Sequence, residues 1–121
     1  MVRNESELWR YLKKNTPNII WTKIENTSHL GTPDLLGYNK NNTFFTVELK
    51  VTKGNKLKFS SHQLAFHIRH PKNSFIIAMY LASSCLKLYE GSNIESLATQ
   101  GLKLEPICEG LESCIKILEK L

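Results

Sequence analysis

Several things are scarce in this chain of 121 residues, and each scarcity excludes a class of protein. Three cysteines, Cys85, Cys108 and Cys114, make an odd number with no C-x-x-C spacing. That excludes a disulfide-stapled secreted scaffold and reads as free thiols in a reducing compartment. Four prolines and six glycines are too few for a collagenous or low-complexity chain. The longest apolar stretch, 75–82, falls far short of the roughly 20 residues of a membrane span. The start, Met1-Val2-Arg3-Asn4-Glu5, carries no apolar leader segment. The expectation is one cytoplasmic domain with no membrane contact and no small-molecule cofactor. Acids are scarce too: 11 against 16 lysines and arginines give a net charge of +5.

That charge is uneven. Residues 1–80 hold 12 basic residues and five acids, whereas residues 81–121 hold four and six. A basic part of this size suits a polyanion, most simply nucleic acid. A solvated basic surface is the plain alternative. The Asn- and Lys-rich composition hints at an AT-rich genome, such as a phage acting in its host's cytoplasm.

Patterning divides the chain into short elements without repeat or linker. Asn4 and Glu7 form a capping-box pattern, predicting a helix over 5–15 that Pro17 ends. Strands are expected at 18–25, 34–38 and 44–51, the last two joined by an Asn-rich turn. A basic loop, 52–58, expected to be flexible, precedes a helix that Ser60 opens and Pro71 closes. Strands at 74–81 and 85–89 follow. A helix with a Ser92/Glu95 capping box stops at Gly101, and an amphipathic helix covers 111–121. The fold class is α/β (α+β): an αβββαβ core over about 4–82, its mixed sheet flanked by helices, with a β-α-α extension over about 84–121.

The turn centred on Asn41 makes cross-strand partners sum to 82, which sets Asp34 opposite Glu48. Direct neighbours across a sheet stand about 5 Å apart, and like charges there call for compensation such as a divalent cation. Alternation sends Phe45, Val47, Leu49 and Val51 to one face and Thr46, Glu48 and Lys50 to the other. On the first helix, Leu8, Trp9 and Leu12 surround Glu5 at about 100° per residue, so this carboxylate lies within the apolar stripe. Complementing the helix dipole is its alternative role. Gln63 is set to cap its helix through Ser60, and the helix starts near the strand that carries Glu48 and Lys50. Gln63, His67 and His70 share a polar stripe at i, i+4 and i+7, with Leu64, Ala65 and Ile68 on the apolar side. His62, His67 and His70 lack a further ligand at zinc spacing. Trp9 and Trp21 read as core.

Together these residues resemble the PD-(D/E)xK nucleases, nearest the VRR-NUC branch and phage-type Holliday junction resolvases. Gly31-Thr32-Pro33-Asp34, then Glu48-Leu49-Lys50, then Ser60-x-x-Gln63 meet that pattern, with Glu5 on the preceding helix. The resemblance covers roughly residues 4–80 and implies a restriction-endonuclease-like core. It implies that Asp34, Glu48, the Leu49 carbonyl and Glu5 bind Mg2+ or Mn2+. Lys50 would orient the attacking water, with Gln63 supporting it. It implies hydrolysis of phosphodiester bonds in branched DNA by a homodimer, since a four-way junction needs two symmetric cuts. A nicking, flap or general DNA or RNA endonuclease and a non-catalytic binding module are the alternatives. Lys53, Lys56, Lys58, His29, Ser60 and His67 are the expected nucleic-acid contacts. The extension is expected to cover the sheet or to join a two-fold interface.

Overall fold

The computed structural model describes residues 2–25 and 31–121. The expected contact His29 lies outside them. α1 (Glu5–Asn15) opens as the sequence predicts, with the Asn4 side chain accepting from the Glu7 N–H at 2.9 Å. The second half of that box does not form. The Glu7 carboxylate instead takes the Arg3 backbone N–H at 2.8 Å and the Arg3 guanidinium at 2.9 Å. Leu8 and Leu12, one turn apart, are fully buried.

Six strands form one sheet in chain order: β1 (Ile20–Lys23), β2 (Leu35–Tyr38), β3 (Phe44–Thr52), β4 (Ser74–Tyr80), β5 (Cys85–Glu90) and β6 (Cys108–Glu109). β3 and β4 are parallel; every other pair is antiparallel. The parallel step needs a crossover, which α2 (Ser61–Arg69) supplies. β4 is buried from Ser74 to Met79, as expected of a central strand covered on both faces. β2 and β3 pair Leu35 with Val47 and Leu36 with Thr46, the register expected from the turn. At the turn itself Asn42 takes a φ of 61°, tolerable for asparagine.

One sheet face packs on α1 and α4 (Leu111–Glu119) through Leu8, Leu12, Phe45, Val47, Leu49, Cys114 and Leu118. Trp9 and Trp21 join this core, edge to face at 6.3 Å. α4 thus covers the sheet, and the buried Asn39 amide donates to the Leu118 carbonyl at 2.9 Å, tying the β2–β3 turn to it. The other face packs on α2 and α3 (Ile94–Gln100) through Leu57, Ile76, Ala78, Tyr89, Ile94 and Leu97.

Three expectations need correcting. The Ser92/Glu95 box is absent: α3 begins after a 3-10 turn at Gly91–Asn93, and the Ser92 hydroxyl donates to Glu90. β6, two residues long, was missed because its pairing to β5 is set by tertiary packing. The loop after β3 is pinned. Leu57 is buried, the Asn55 carbonyl accepts from Leu102 N–H at 2.8 Å, and the Asn55 amide donates to the Gln100 carbonyl at 3.1 Å.

Candidate active site

Where β2 stops at Leu35, β3 runs on, and the side chain of Asp34 takes over the next rung. Its Oδ2 accepts from the Leu49 N–H at 2.7 Å. The N–H and C=O of one strand residue point to the same side, so the Leu49 carbonyl faces the same open edge. Glu48, 3 % exposed, lies on the opposite face of β3 from Leu49, as alternation predicts. Gly31, with a φ of 84°, explains the glycine before Pro33-Asp34. A Cβ there would lie 2.3 Å from the His62 carbonyl oxygen, so the Asp34 loop is pressed against the start of α2.

α2 brings Gln63 over β3. Gln63 closes a complete capping box with Ser60 and does more than cap. Its Oε1 accepts from Lys50 Nζ at 3.2 Å and from Ser60 N–H at 3.0 Å, while its Nε2 donates to Glu48 Oε2 at 3.2 Å. The amide orientation is the one its neighbours demand: oxygen toward two donors, nitrogen toward a carboxylate. Both roles read from the sequence coexist in one side chain.

The electrostatics are those of a crowded anionic pocket. Burial, then the Asp34 charge, then hydrogen bonding with Asp34 push the Glu48 carboxyl up to about 9; Lys50 acts in the opposite direction. Burial also raises Glu5, opposed by Lys50 and aided by Asp34, which places Glu5 electrostatically with both. Glu48 Oε1 has no hydrogen-bond partner among the described residues. Two ionised carboxylates cannot bond to each other; a proton or a cation between them resolves the conflict.

The residues fit a hard divalent ion. The donors are oxygens of Asp34, Glu48, Leu49 and Glu5, and one buried carboxylate oxygen is free. Among the described residues no three His, Cys, Asp or Glu side chains form a complete cage. Magnesium needs none, because it keeps several waters and takes one or two carboxylates.

A cleft of about 260 Å³ beside these groups is lined by Glu5, Lys50, Thr52, Lys56, Leu57 and Lys58. Ser60 is engaged as the α2 cap. His67 requires correction: it is not on a solvated stripe but fully buried, with both ring nitrogens unpartnered among the described residues. Its ring lies against Gly91 and Ser74, where it cannot meet a substrate. One site residue was missed: the ring of Phe59 lies 5.0 Å from Lys50 Nζ. An aromatic residue just before a helix cap was the available signal.

No protein-family model matches the chain, and no curated protein sequence matches it significantly. Solved structures do. A VRR_NUC domain aligns over 69 % of this chain and 91 % of its own, with a TM-score of 0.53 and 24 % identity. Hjc, a Holliday junction resolvase from the archaeal hyperthermophile Archaeoglobus fulgidus, aligns over 98 % of this chain and 96 % of its own, with a TM-score of 0.57 and 15 % identity. At such identities the shared property is the fold. The six-stranded mixed sheet flanked by helices is the restriction-endonuclease-like fold of these neighbours, and the likeness to PD-(D/E)xK nucleases read from the motifs holds at that level.

Proposed function

We propose that this protein is a metal-dependent endodeoxyribonuclease that resolves branched DNA such as Holliday junctions. The observation that carries the reading is the pair of neighbouring carboxylates, Asp34 and buried Glu48, with an orphaned Glu48 oxygen and Lys50 tethered beside them by Gln63. The fold it shares with a Holliday junction resolvase gives the substrate class its support.

In this reading Asp34, Glu48, the Leu49 carbonyl and Glu5 hold Mg2+ or Mn2+. Such an ion lowers the pKa of a bound water and neutralises charge on the scissile phosphate. Lys50 has three donors. Gln63 accepts one of them, which leaves two to hold the attacking water and a phosphoryl oxygen as charge develops. Water oxygen bonds to phosphorus in line with the leaving sugar oxygen, whose bond to phosphorus breaks; the water's proton passes to solvent and the leaving oxygen takes a proton from solvent to become a hydroxyl. Gln63 fixes Lys50 against Glu48, and the ring of Phe59 bounds the ammonium. Lys56 and Lys58, which line the cleft beside Lys50, contribute phosphate contacts, which supply affinity and salt dependence rather than sequence choice. One chain carries one such carboxylate pair, so paired cuts across a junction require a homodimer.

The test uses labelled four-way junction, duplex, flap and single-stranded substrates with magnesium, manganese or EDTA. Metal-dependent, paired cleavage of the junction is expected, lost in Glu48→Gln and Lys50→Ala while binding survives. Binding without cleavage of any substrate overturns the enzyme reading. Equal cutting of linear and branched DNA, or a monomer by light scattering, overturns the resolvase reading.

A further inference from the structure

The C-terminal extension packs against the basic loop beside the candidate site through a short turn. The turn at Gly101–Lys103 lies against Asn55: Leu102 N–H donates to the Asn55 carbonyl at 2.8 Å, and the Asn55 amide donates to Gln100 at 3.1 Å. The fit is close. Gly101 has a φ of 64°, and a Cβ on it would lie 2.2 Å from the Asn55 carbonyl oxygen. Leu57 is buried in the core that also holds Leu97 and Leu102 of the extension. Within the loop, the Thr52 hydroxyl and the Gly54 N–H are bonded at 3.2 Å. A segment anchored at Thr52, Asn55 and Leu57 has little freedom left at Lys56 and Lys58.

Those two lysines line the same cleft as Lys50 and Glu5, whereas Lys53 does not. Three ammonium groups against one carboxylate leave the cleft net positive, and it opens directly beside Lys50. A phosphodiester anion is the ligand whose charge and size match. We propose that the extension's Gly101–Lys103 turn positions the lysine loop, so that Lys56 and Lys58 hold the backbone phosphate next to the scissile one. This rests on the nuclease reading and assigns the extension a part in gripping substrate. Lysines held in place lose less side-chain and loop freedom on binding than lysines on a free loop. Asn55 and Gly101 are positioning residues: they act through the loop and touch no substrate.

The experiment measures binding of a labelled four-way junction and of a duplex in EDTA across a salt series. Each phosphate contact contributes about 0.9 to the slope of log K against log salt. Lys56→Gln and Lys58→Gln are each expected to lower that slope by about 0.9, and Lys53→Gln to leave it unchanged. Asn55→Ala and Gly101→Ala are expected to weaken binding several-fold. Asn55→Ala, a change at an exposed site, is expected to keep the wild-type Tm, so that its effect on binding is not one of unfolding. An equal loss of slope in Lys53→Gln, or wild-type affinity in Asn55→Ala, overturns the proposal. Absence of binding to both nucleic acids overturns it together with the reading it rests on. The expected slopes without metal-dependent cleavage of any substrate sustain the lysine grip and its positioning by the extension, and overturn the enzyme reading and the placement beside a scissile phosphate.

Discussion

Acidification is expected to loosen this protein through one residue, His67. The ring is fully buried against Gly91 and Ser74, with no partner for either nitrogen among the described residues. Burial, helped by the neighbouring His70, lowers its pKa from 6.5 to about 4. The folded state therefore binds its proton later than the unfolded state. Stability is fully present above pH 6.5 and declines as the pH falls toward 4. At about 1.36 kcal/mol per pKa unit the full loss is about 3 kcal/mol, and about 2 kcal/mol of it has gone by pH 5. The assay is urea unfolding at pH 8 and pH 5 for the wild type and for His67→Leu. All other titrating groups are common to both proteins, so the difference between their pH responses isolates His67. The wild type is expected to lose about 2 kcal/mol more than the variant over this interval. Parallel losses in the two proteins, or an NMR titration of the His67 ring near its ordinary value, would refute the reasoning.

Three further outcomes are expected. In EDTA at pH 7, Glu48→Gln is expected to stabilise the fold by up to about 3 kcal/mol, because the buried carboxyl must otherwise hold a proton that the unfolded chain releases. That benefit disappears below the ordinary carboxylate range, and a lower urea midpoint for the variant at pH 7 contradicts it. Gln63→Leu frees Lys50 and removes half of the α2 cap; kcat is expected to fall on the order of 100-fold with substrate Kd within about threefold. Gly31→Ala sets a Cβ against the His62 carbonyl at a φ of 84° and is expected to cost about 1–2 kcal/mol in thermal unfolding, with cleavage reduced as α2 shifts.

Much of the site was legible because it lies on regular elements with a known period. The Asn-rich turn fixed the β2–β3 register, and Asp34, one residue before that ladder, comes beside Glu48. Alternation along β3 separated Glu48 and Lys50 from Leu49. What was not legible depended on long-range packing. His67 shares a helical stripe with Gln63 and His70, yet the helix turns that stripe so that only its middle member is pressed onto Gly91 and Ser74. The pinning of the lysine loop depends on Gln100 and Leu102, more than forty residues further along the chain. The Ser92/Glu95 pattern was locally sound but lost to the 3-10 turn, whose Gly91 packs directly against His67.

The double duty of Gln63 has a consequence for how the protein can be regulated by its own folding. The amide that completes the cap of α2 is the amide that fixes Lys50 and Glu48. Fraying of the first turn of α2 would therefore release Lys50 and Glu48 without moving β3. If the nuclease reading holds, hydrogen exchange at the first amides of α2 is expected to track activity, and a mutation far from any carboxylate is expected to change turnover through that local equilibrium alone.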